Sequence, residues 1–531
     1  MKRRVFIKRA VPAVGVPLIL NGLNINAFGE GMQFASLAGM YGSNDHVLVL
    51  IELSGGNDGL NMVIPLDQYD GISAVRSNIM IKEKSVLPLD GTSTLGLHPS
   101  MGGIQQMYNE GNVKIVQSVG YPKPNFSHFR ATDIWSSASD SDTYLNTGWV
   151  GRYLNFEYPN FPADYPNTTM PDPLAIQIGG VSDPVFMGPS INMAYSLLLD
   201  QNNEVQNYTF LGNIQDQYGI EGPYKKELEF LRVVKKNTNS YGTSVKNAYD
   251  APSTQLTYPD TSLAKQLKIV AKLIAGGLKT KVYWVSMSGF DTHSLQVEAD
   301  TSKGKHATLL GTLSDAVKVF HDDLQQLGVG DRVMSMTYSE FGRRIIANAS
   351  SGTDHGAAAP LLLMGNKVIS GILGDNPIVS PTATVNDNLP MQYDFRSVYA
   401  SVLQDWLCVP QHDVDNIILL KNFQTLPLIQ NDDCIPSSIH DQNQLAGINL
   451  IQAYPNPFTT RTTIEFTTAG FHTLVEVFNP FGQQIKTLVD ANFEAGTYRV
   501  DFENEGLPSG MYYLRFQNGV VQQVKPLVIA K

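Results

Sequence analysis

Long hydrophobic runs recur along the first four fifths of the chain, and small and polar residues follow each of them. The runs lie at 46–53, 113–120, 281–289, 332–342 and 360–365. A run of this length without alternation is typical of a strand that is buried on both faces. The pattern therefore predicts a sheet whose strands end in tight, polar turns.

Helical periodicity fills the gaps between these runs. Hydrophobic residues recur at three- and four-residue intervals in 260–278 and 305–327, and a shorter helix is expected at 99–110. Strands that alternate with helices predict a doubly wound, mostly parallel α/β sheet. We place this α/β domain at 44–430, with a polar insertion at about 200–260 in which we recognise no chemistry.

The pattern changes after residue 430. A polar linker spans 431–448, and from 449 to 531 short alternating segments are separated by turn residues, which predicts a small all-β sandwich. In its strings AYPNPF, LPSGMYYL and VKPLVIAK this segment resembles the C-terminal sorting domain of the type IX secretion system. A generic adhesion sandwich is the alternative.

Residues 1–29 are predicted to be a signal peptide rather than part of a fold. A basic start precedes a modest apolar run that Pro12 and Pro17 interrupt. The pair Arg3-Arg4 resembles a twin-arginine signal, and an ordinary secretory signal is the alternative. With either signal, we expect export through the periplasm to the cell surface or the medium. The run is too short to span a bilayer, so we expect no transmembrane segment in the mature chain.

Composition adds two constraints. The chain has 531 residues, of which 43% are hydrophobic, and a formal net charge of −11. Such an acidic chain argues against nucleic acid as a partner. It has only two cysteines, Cys408 and Cys434, and in an oxidising compartment we expect them to form a disulfide.

Polar clusters after the predicted strands contain residue types that bind metals. Ligands bind at the carboxyl ends of the strands in such sheets, so clusters that are distant in sequence could converge on one site. Carboxylates and imidazoles suit zinc, whereas manganese and magnesium become favoured as oxygen ligands increase. We expect one or two divalent ions. The candidate ligands are Asp58 in SGGNDG, Asp291 and His293 in GFDTHS, Glu340 in SEFGRR, and Asp354 and His355 in SGTDHG.

The adjacent acid and histidine of SGTDHG raise a geometric question. Neighbouring side chains of a strand point to opposite faces, so Asp354 and His355 could not serve one ion from within a strand. We expect the flanking glycines to permit a turn, as the chain leaves a strand, in which both side chains face the same ion.

Several long strings resemble the bacterial family called domain of unknown function 1501. They are LIELSGGNDGLNMVIP, GYPKPNFSHFRATDIW, GFDTHSLQ and YSEFGRRIIANASSGTDHGAAAPLLLMG, and the resemblance spans roughly 44–410. It implies a fold like that of the alkaline phosphatase and sulfatase superfamily, with metals at the strand ends. No sulfatase signature stands after the first predicted strand, so a conventional sulfatase is not expected.

The resemblance also implies roles for individual residues. Asp354 and His355 would share one metal with Asp58, the acid after the first strand, and Asp291 and His293 would bind a second. The superfamily usually separates that second Asp and His by three residues, whereas here Thr292 alone intervenes.

Five further residues have alternative interpretations. Ser127 would be the nucleophile by resemblance, or it caps the helix that it precedes. His128 could bind substrate or simply pack. Arg343 and Arg344 could grip an anionic substrate, or they form an ordinary surface pair. Glu340 could be a ligand or could hold Arg343 in place.

These observations favour a secreted metal-dependent hydrolase of phosphate or sulfate esters with Ser127 as nucleophile. Its expected partners are an anionic ester substrate or surface glycan and the type IX secretion machinery. The alternative is a catalytically silent surface binding protein that retains the superfamily fold. A pure scaffold or adhesin, in which the strand-end polar groups are dispersed, is a third possibility.

Overall fold

A computed structural model describes the chain except for 1–16, 21–22, 27–43, 180–182, 200–204, 206–239, 252–253, 255, 431–433, 435–449, 470–471, 480–482, 519–520 and 531. The chain divides into two compact units, one of Ser43–Cys434 and one that combines Met1–Gly42 with Ile435–Lys531. Most of the predicted signal peptide lies outside the described residues, but 17–20 and 23–26 are described and form two short paired strands. Within the predicted linker only Cys434 is described. Much of the predicted insertion also lies outside the described residues, although 240–250 form a helix.

The strands are numbered β1 to β21 in chain order. Outside the C-terminal region they are β1 Pro17–Leu20, β2 Leu23–Asn26, β3 Val47–Ser54, β4 Val63–Pro65, β5 Leu87–Pro88, β6 Leu95–Leu97, β7 Val113–Gly120, β8 Ala175–Ile178, β9 Ala194–Leu197, β10 Val282–Ser288, β11 Val333–Tyr338, β12 Ala359–Met364, β13 Gly371–Leu373 and β14 Tyr393–Asp394. β1 pairs with β2, and β4, β6 and β5 form a small antiparallel sheet.

One large sheet organises the α/β unit. Its strand order is β13-β7-β12-β11-β3-β10-β8-β9, and β14 pairs with β7. All of these pairs are parallel except those of β12, which runs antiparallel to β11 and β7. The five hydrophobic runs of the sequence correspond to β3, β7, β10, β11 and β12, so the predicted doubly wound, mostly parallel sheet is confirmed.

Helices cover both faces of this sheet. They are α1 Gly59–Met62, α2 Tyr69–Arg76, α3 Gly102–Asn109, α4 His128–Ser137, α5 Trp149–Glu157, α6 Ser262–Ala275, α7 Lys305–Gln326, α8 Phe395–Ser401 and α9 Gln411–Asp413, with π-helical turns at Val402–Trp406 and Val414–Ile418. Along β3, Val47, Val49 and Ile51 pack into the core that α3, α6 and α7 cover, whereas Leu48 and Leu50 face the core beneath α4, α5 and α8. Both faces of the strand are buried, which accounts for its unbroken hydrophobic sequence.

The C-terminal region is a separate β-structure. Its strands are β15 Leu450–Tyr454, β16 Arg461–Ala469, β17 His472–Phe478, β18 Gln484–Asn492, β19 Ala495–Glu503, β20 Gly510–Asn518 and β21 Val521–Ile529. They form two antiparallel sheets, β15-β16-β19 and β18-β17-β20-β21. Phe466, Phe502 and Phe516 lie in their common hydrophobic core. This is the two-layer arrangement that the alternating sequence predicts.

Two further expectations concern covalent structure and membranes. Cys408 and Cys434, which are 26 positions apart in the sequence, form a disulfide. Within the described parts of the chain, no helix is both long enough and apolar enough to cross a membrane.

Candidate metal centre

The candidate residues gather at one edge of the large sheet. Gly55 follows β3, Asp291 and His293 follow β10, Glu340 follows β11, and His128 begins α4 beyond β7. Parallel strands end at the same edge, so their following loops meet there.

Asp354 and His355 reach this edge in a different way from the one expected. They do not leave a strand but precede β12, which runs antiparallel to its neighbours, so its first residues lie beside the last residues of the parallel strands. The glycines on either side allow the backbone of this loop to pack closely against neighbouring backbone segments. A Cβ atom on Gly352 would lie 2.4 Å from the carbonyl carbon of His293, and one on Gly356 would lie 2.3 Å from that of Arg343.

Three histidines converge on the carboxylate of Asp291. Nε2 of His293 lies 3.1 Å and Nε2 of His355 lies 3.2 Å from Oδ1 of Asp291, and Nε2 of His128 lies 3.7 Å from Oδ2. The two nitrogens of His293 and His355 are 2.9 Å apart. Ligand atoms of His128, Asp291 and His355 all lie within 4.8 Å of one another. His128, Asp291 and His355 therefore form a compact group of donors, and His293 adjoins it through Asp291 and His355.

The other ring nitrogen of each histidine is already occupied. Nδ1 of His128 lies 2.8 Å from Glu340 Oε1, Nδ1 of His293 lies 3.0 Å from Asp354 Oδ1, and Nδ1 of His355 lies 2.7 Å from the carbonyl oxygen of Phe126. The acceptors are two carboxylates and a carbonyl oxygen, so Nδ1 is the donor in each pair, and in a neutral ring the lone pair is then on Nε2. Histidines that ligate metals are oriented by second partners in this way.

Three of these donors are spaced like ligands of a tetrahedral metal ion. With Zn–N and Zn–O bonds of about 2.0–2.1 Å, ligand atoms on such an ion are about 3.3 Å apart. The three separations among Nε2 of His293, Nε2 of His355 and Oδ1 of Asp291 are 2.9, 3.1 and 3.2 Å. A cation or a shared proton can bridge two imidazole nitrogens at the 2.9 Å that separates those of His293 and His355.

The local environment lowers the pKa values of His355, Asp291 and Asp354. Burial lowers the pKa of His355, and the charge of Arg343 lowers it further, which favours the neutral ring. Burial raises the pKa of Asp291, but hydrogen bonds and charges from Arg343 and His355 outweigh it, so this pKa is lowered. The pKa of Asp354 is also lowered, because the contacts with His293 and Asn348 outweigh burial. Both carboxylates are therefore ionised at neutral pH.

Asp354 and Glu340 contact histidines instead of completing this donor set. Asp354 Oδ1 also accepts from the Asn348 amide at 3.2 Å. Glu340 is 4% exposed and accepts from the backbone N–H groups of Gly55 and Gly56 at 2.9–3.2 Å as well as contacting His128. Both carboxylates therefore contact Nδ1 atoms of the histidines, and His128 lies among the metal-binding donors.

Asp58 lies in a different environment. Its Oδ2 forms an ion pair of 2.6 Å with Arg76 and accepts from the Gln296 amide at 2.6 Å, and both charged side chains are almost fully buried. Burial raises the pKa of Asp58, but Arg76, His306 and Gln296 together lower it. Its charge is neutralised inside the protein, so we leave it out of the proposed ligand set.

Arg343 is also internal, so it is not the surface residue that one of its interpretations required. Its side chain is 0% exposed, and its guanidinium donates to the carbonyl oxygens of Gly56 and Thr353, both at 2.7 Å, and to Asp291 at 2.6 Å. Arg343 thereby ties together the loops that follow β3 and β10 and the loop that precedes β12. Each nitrogen of the guanidinium is already engaged inside the protein, and the side chain has no exposed surface to offer a substrate.

Ser127 is exposed and occupies the N-cap position of α4. Its side chain makes no capping hydrogen bond, although its backbone N–H donates to Asn125 Oδ1 at 2.9 Å. The residues on either side of it, Phe126 and His128, both contact the histidine cluster. The hydroxyl is therefore not committed to capping.

Three residues that support the site were not expected from the sequence. Arg76 comes from α2, Gln296 joins Thr292, Thr353 and Asp58, and Asn348 donates to the His293 carbonyl oxygen and to Asp354. No motif distinguishes such polar residues, because their roles depend on contacts between distant loops. The sequence offered one indication of a role for Gln296 and Asn348, namely that both lie within a few residues of the candidate ligands.

Comparison with known families supports both resemblances seen in the sequence. The family described as "Protein of unknown function (DUF1501)" matches residues 190–417, and the "Secretion system C-terminal sorting domain" matches residues 452–530. The first match contains Asp291, His293 and His355, whereas His128 lies outside it. The fold and the sorting domain define an exported α/β protein of the cell surface or medium.

Several solved structures resemble the chain at low identity. They include a protein in the alkaline phosphatase superfamily from Vibrio parahaemolyticus (10% identity, 92% of this chain, 84% of that chain, TM-score 0.32), a sulfatase from Pseudoalteromonas sp. (11%, 91%, 89%, 0.33) and a phosphonate monoester hydrolase from Silicibacter pomeroyi (8%, 91%, 88%, 0.31). No curated protein matches the sequence.

Proposed function

We propose that the protein is an exported metal-dependent hydrolase of phosphate or sulfate esters. The observation that carries the proposal is the convergence of three histidine Nε2 atoms on Asp291, with every Nδ1 atom engaged elsewhere. His128, His293, His355 and Asp291 would hold one divalent ion, and the nitrogen-rich set favours zinc over manganese or magnesium.

The chemistry follows from the position of the site. A bound divalent ion would lower the pKa of a nearby hydroxyl and offset the negative charge of the ester. Ser127 would supply the attacking hydroxyl, since its side chain is exposed and makes no cap. Backbone N–H groups in the first turn of α4 would favour a negatively charged group beside Ser127.

Surrounding residues would keep the ligands in place during turnover. Glu340 and Asp354 would hold the rings of His128 and His293, and Arg343 would hold the Asp291 carboxylate. The side chains of Asp291 and His293 are each 45% exposed, so the site is open to substrate from the medium.

Metal analysis tests the first half of this proposal. Wild-type protein should contain about one equivalent of zinc by mass spectrometry, and His293→Ala should lose it. His412→Ala is the matched control, because His412 is an exposed histidine that contacts Asp413. Absence of metal from wild type, or equal metal in His293→Ala, would contradict the assignment.

Activity is tested separately. Hydrolysis of p-nitrophenyl phosphate and p-nitrophenyl sulfate by the zinc-loaded protein should be measured for wild type and Ser127→Ala. We expect turnover by wild type that Ser127→Ala lacks. Equal rates would exclude Ser127 as the nucleophile.

A surface binding protein is the second candidate. Asp58 is neutralised by Arg76, and only one cluster of metal-binding donors is found among the described residues. A protein that binds a single metal ion and does not hydrolyse esters could use that ion to bind an anionic ligand. Stoichiometric metal with no hydrolysis across phosphate and sulfate esters would favour this function.

A further inference from the structure

Arg344 lies directly beside the histidine cluster. Its backbone N–H donates to the carbonyl oxygen of Asp354 at 3.0 Å, and its Nε donates to that of His355 at 2.9 Å. The guanidinium carbon is 5.1 Å from the ring centroid of Phe126, whose own carbonyl oxygen contacts His355. The side chain is therefore fixed next to two residues of the candidate site.

The two terminal nitrogen atoms of this guanidinium are available for a ligand. Among the described residues, its two Nη atoms have no hydrogen-bond partner, and no carboxylate lies within the 4.0 Å of an ion pair. The backbone N–H and hydroxyl of Thr384 donate to Asp387 and lower its pKa, and the charge of Arg344 lowers that pKa further without an ion pair. The neighbouring Arg343 lacks this availability, because its side chain is fully buried and its guanidinium donates to carbonyl oxygens and to Asp291.

A fixed, half-buried guanidinium with free N–H groups suits a tetrahedral oxyanion. The fork presents two parallel donors that match two oxygens of a phosphate or sulfate. The contacts with the His355 carbonyl oxygen and Phe126 fix the fork in advance, so less conformational entropy is lost on binding.

We propose that Arg344 binds the non-reacting oxygens of the phosphate or sulfate group at the metal centre. This inference rests on the proposed function and identifies the residue that selects an anionic ester there. Of the two arginines that the sequence offers for this role, the proposal therefore selects Arg344.

Binding of inorganic phosphate tests this assignment without turnover. Isothermal titration calorimetry should compare wild type with Arg344→Gln and Arg344→Lys, with metal content measured in each sample. We expect Arg344→Gln to bind phosphate at least about 10-fold more weakly, and Arg344→Lys to fall between the two, because a lysine keeps the charge but not the fork. Lys246→Gln is the matched control, since it removes the same charge from the helix at 240–250.

Each outcome separates this inference from the proposed function. Unchanged phosphate affinity in Arg344→Gln, or no phosphate binding by wild type, would overturn the role of Arg344. A loss of affinity confined to the Arg344 variants, with metal content unchanged, would support it even if no ester were hydrolysed. Absence of metal or turnover from wild type would instead count against the proposed function.

Discussion

Replacing Arg76 with methionine removes the only cation paired with the buried carboxylate of Asp58 in the described structure. The two side chains are 0% and 1% exposed, and their charged atoms are 2.6 Å apart. Removing one member of a buried ion pair costs about 3–5 kcal/mol, because the remaining charge stays buried. We expect about 3 kcal/mol, since the Gln296 amide continues to donate to Asp58 at 2.6 Å.

The loss should depend on pH with a definite sign. The pKa of Asp58 is lowered in the folded protein, where Arg76, His306 and Gln296 outweigh burial. A carboxylate of this kind stabilises the fold above its unfolded pKa of about 3.9, and its contribution disappears as the pH falls through the folded pKa. The difference between wild type and Arg76→Met should thus be largest near neutral pH and should shrink below about pH 4.

Denaturant unfolding at several pH values measures both effects. The double variant Asp58→Asn, Arg76→Met is the control, and it should recover part of the stability because no charge is then buried. Zinc content should be unchanged in Arg76→Met. A destabilisation below about 1 kcal/mol, or one that does not depend on pH, would refute this reasoning. Loss of zinc from folded Asp58→Asn would return Asp58 to the ligand set.

Further predictions concern three other features. Glu340→Gln should lower zinc affinity about 10–100-fold, because the charged partner of His128 Nδ1 is lost; competition with a chelator measures this, and an unchanged affinity would contradict the orienting role. Replacing Cys408 and Cys434 with serine should reduce stability by about 3–4 kcal/mol, from the loop that the disulfide closes; equal denaturation midpoints would refute this. Ser127→Ala should change stability by less than about 0.5 kcal/mol, because no capping hydrogen bond is lost; a larger loss would restore the capping role.

Much of the fold could be predicted because the pattern of hydrophobic residues shows which strands are buried. β3 and β7 are covered on both faces, so their sequences are continuous hydrophobic runs with clear ends. The direction of β12 could not be predicted, because a run buried on both faces reads the same in parallel and antiparallel strands. That direction decides how Asp354 and His355 reach the site.

The candidate site was only partly accessible to sequence reasoning. The motifs indicated the types of residue in the site and its location at the carboxyl ends of the strands. They did not indicate which residues would bind a metal and which would orient the ligands. In the proposed centre His128 is a ligand and Asp354 is not, and this difference comes from the atoms that their side chains contact, not from their neighbours in sequence. Asp58 follows β3 as expected, yet Arg76, 18 positions later in the chain, neutralises it.

Anomalous diffraction at the zinc edge, from crystals of the zinc-loaded protein, tests the central claim most directly. We predict one peak bounded by Nε2 of His128, His293 and His355 and by the carboxylate of Asp291. A peak at Asp58, a peak ligated by Asp354 in place of the histidines, or no peak at this edge of the sheet would contradict the proposed centre.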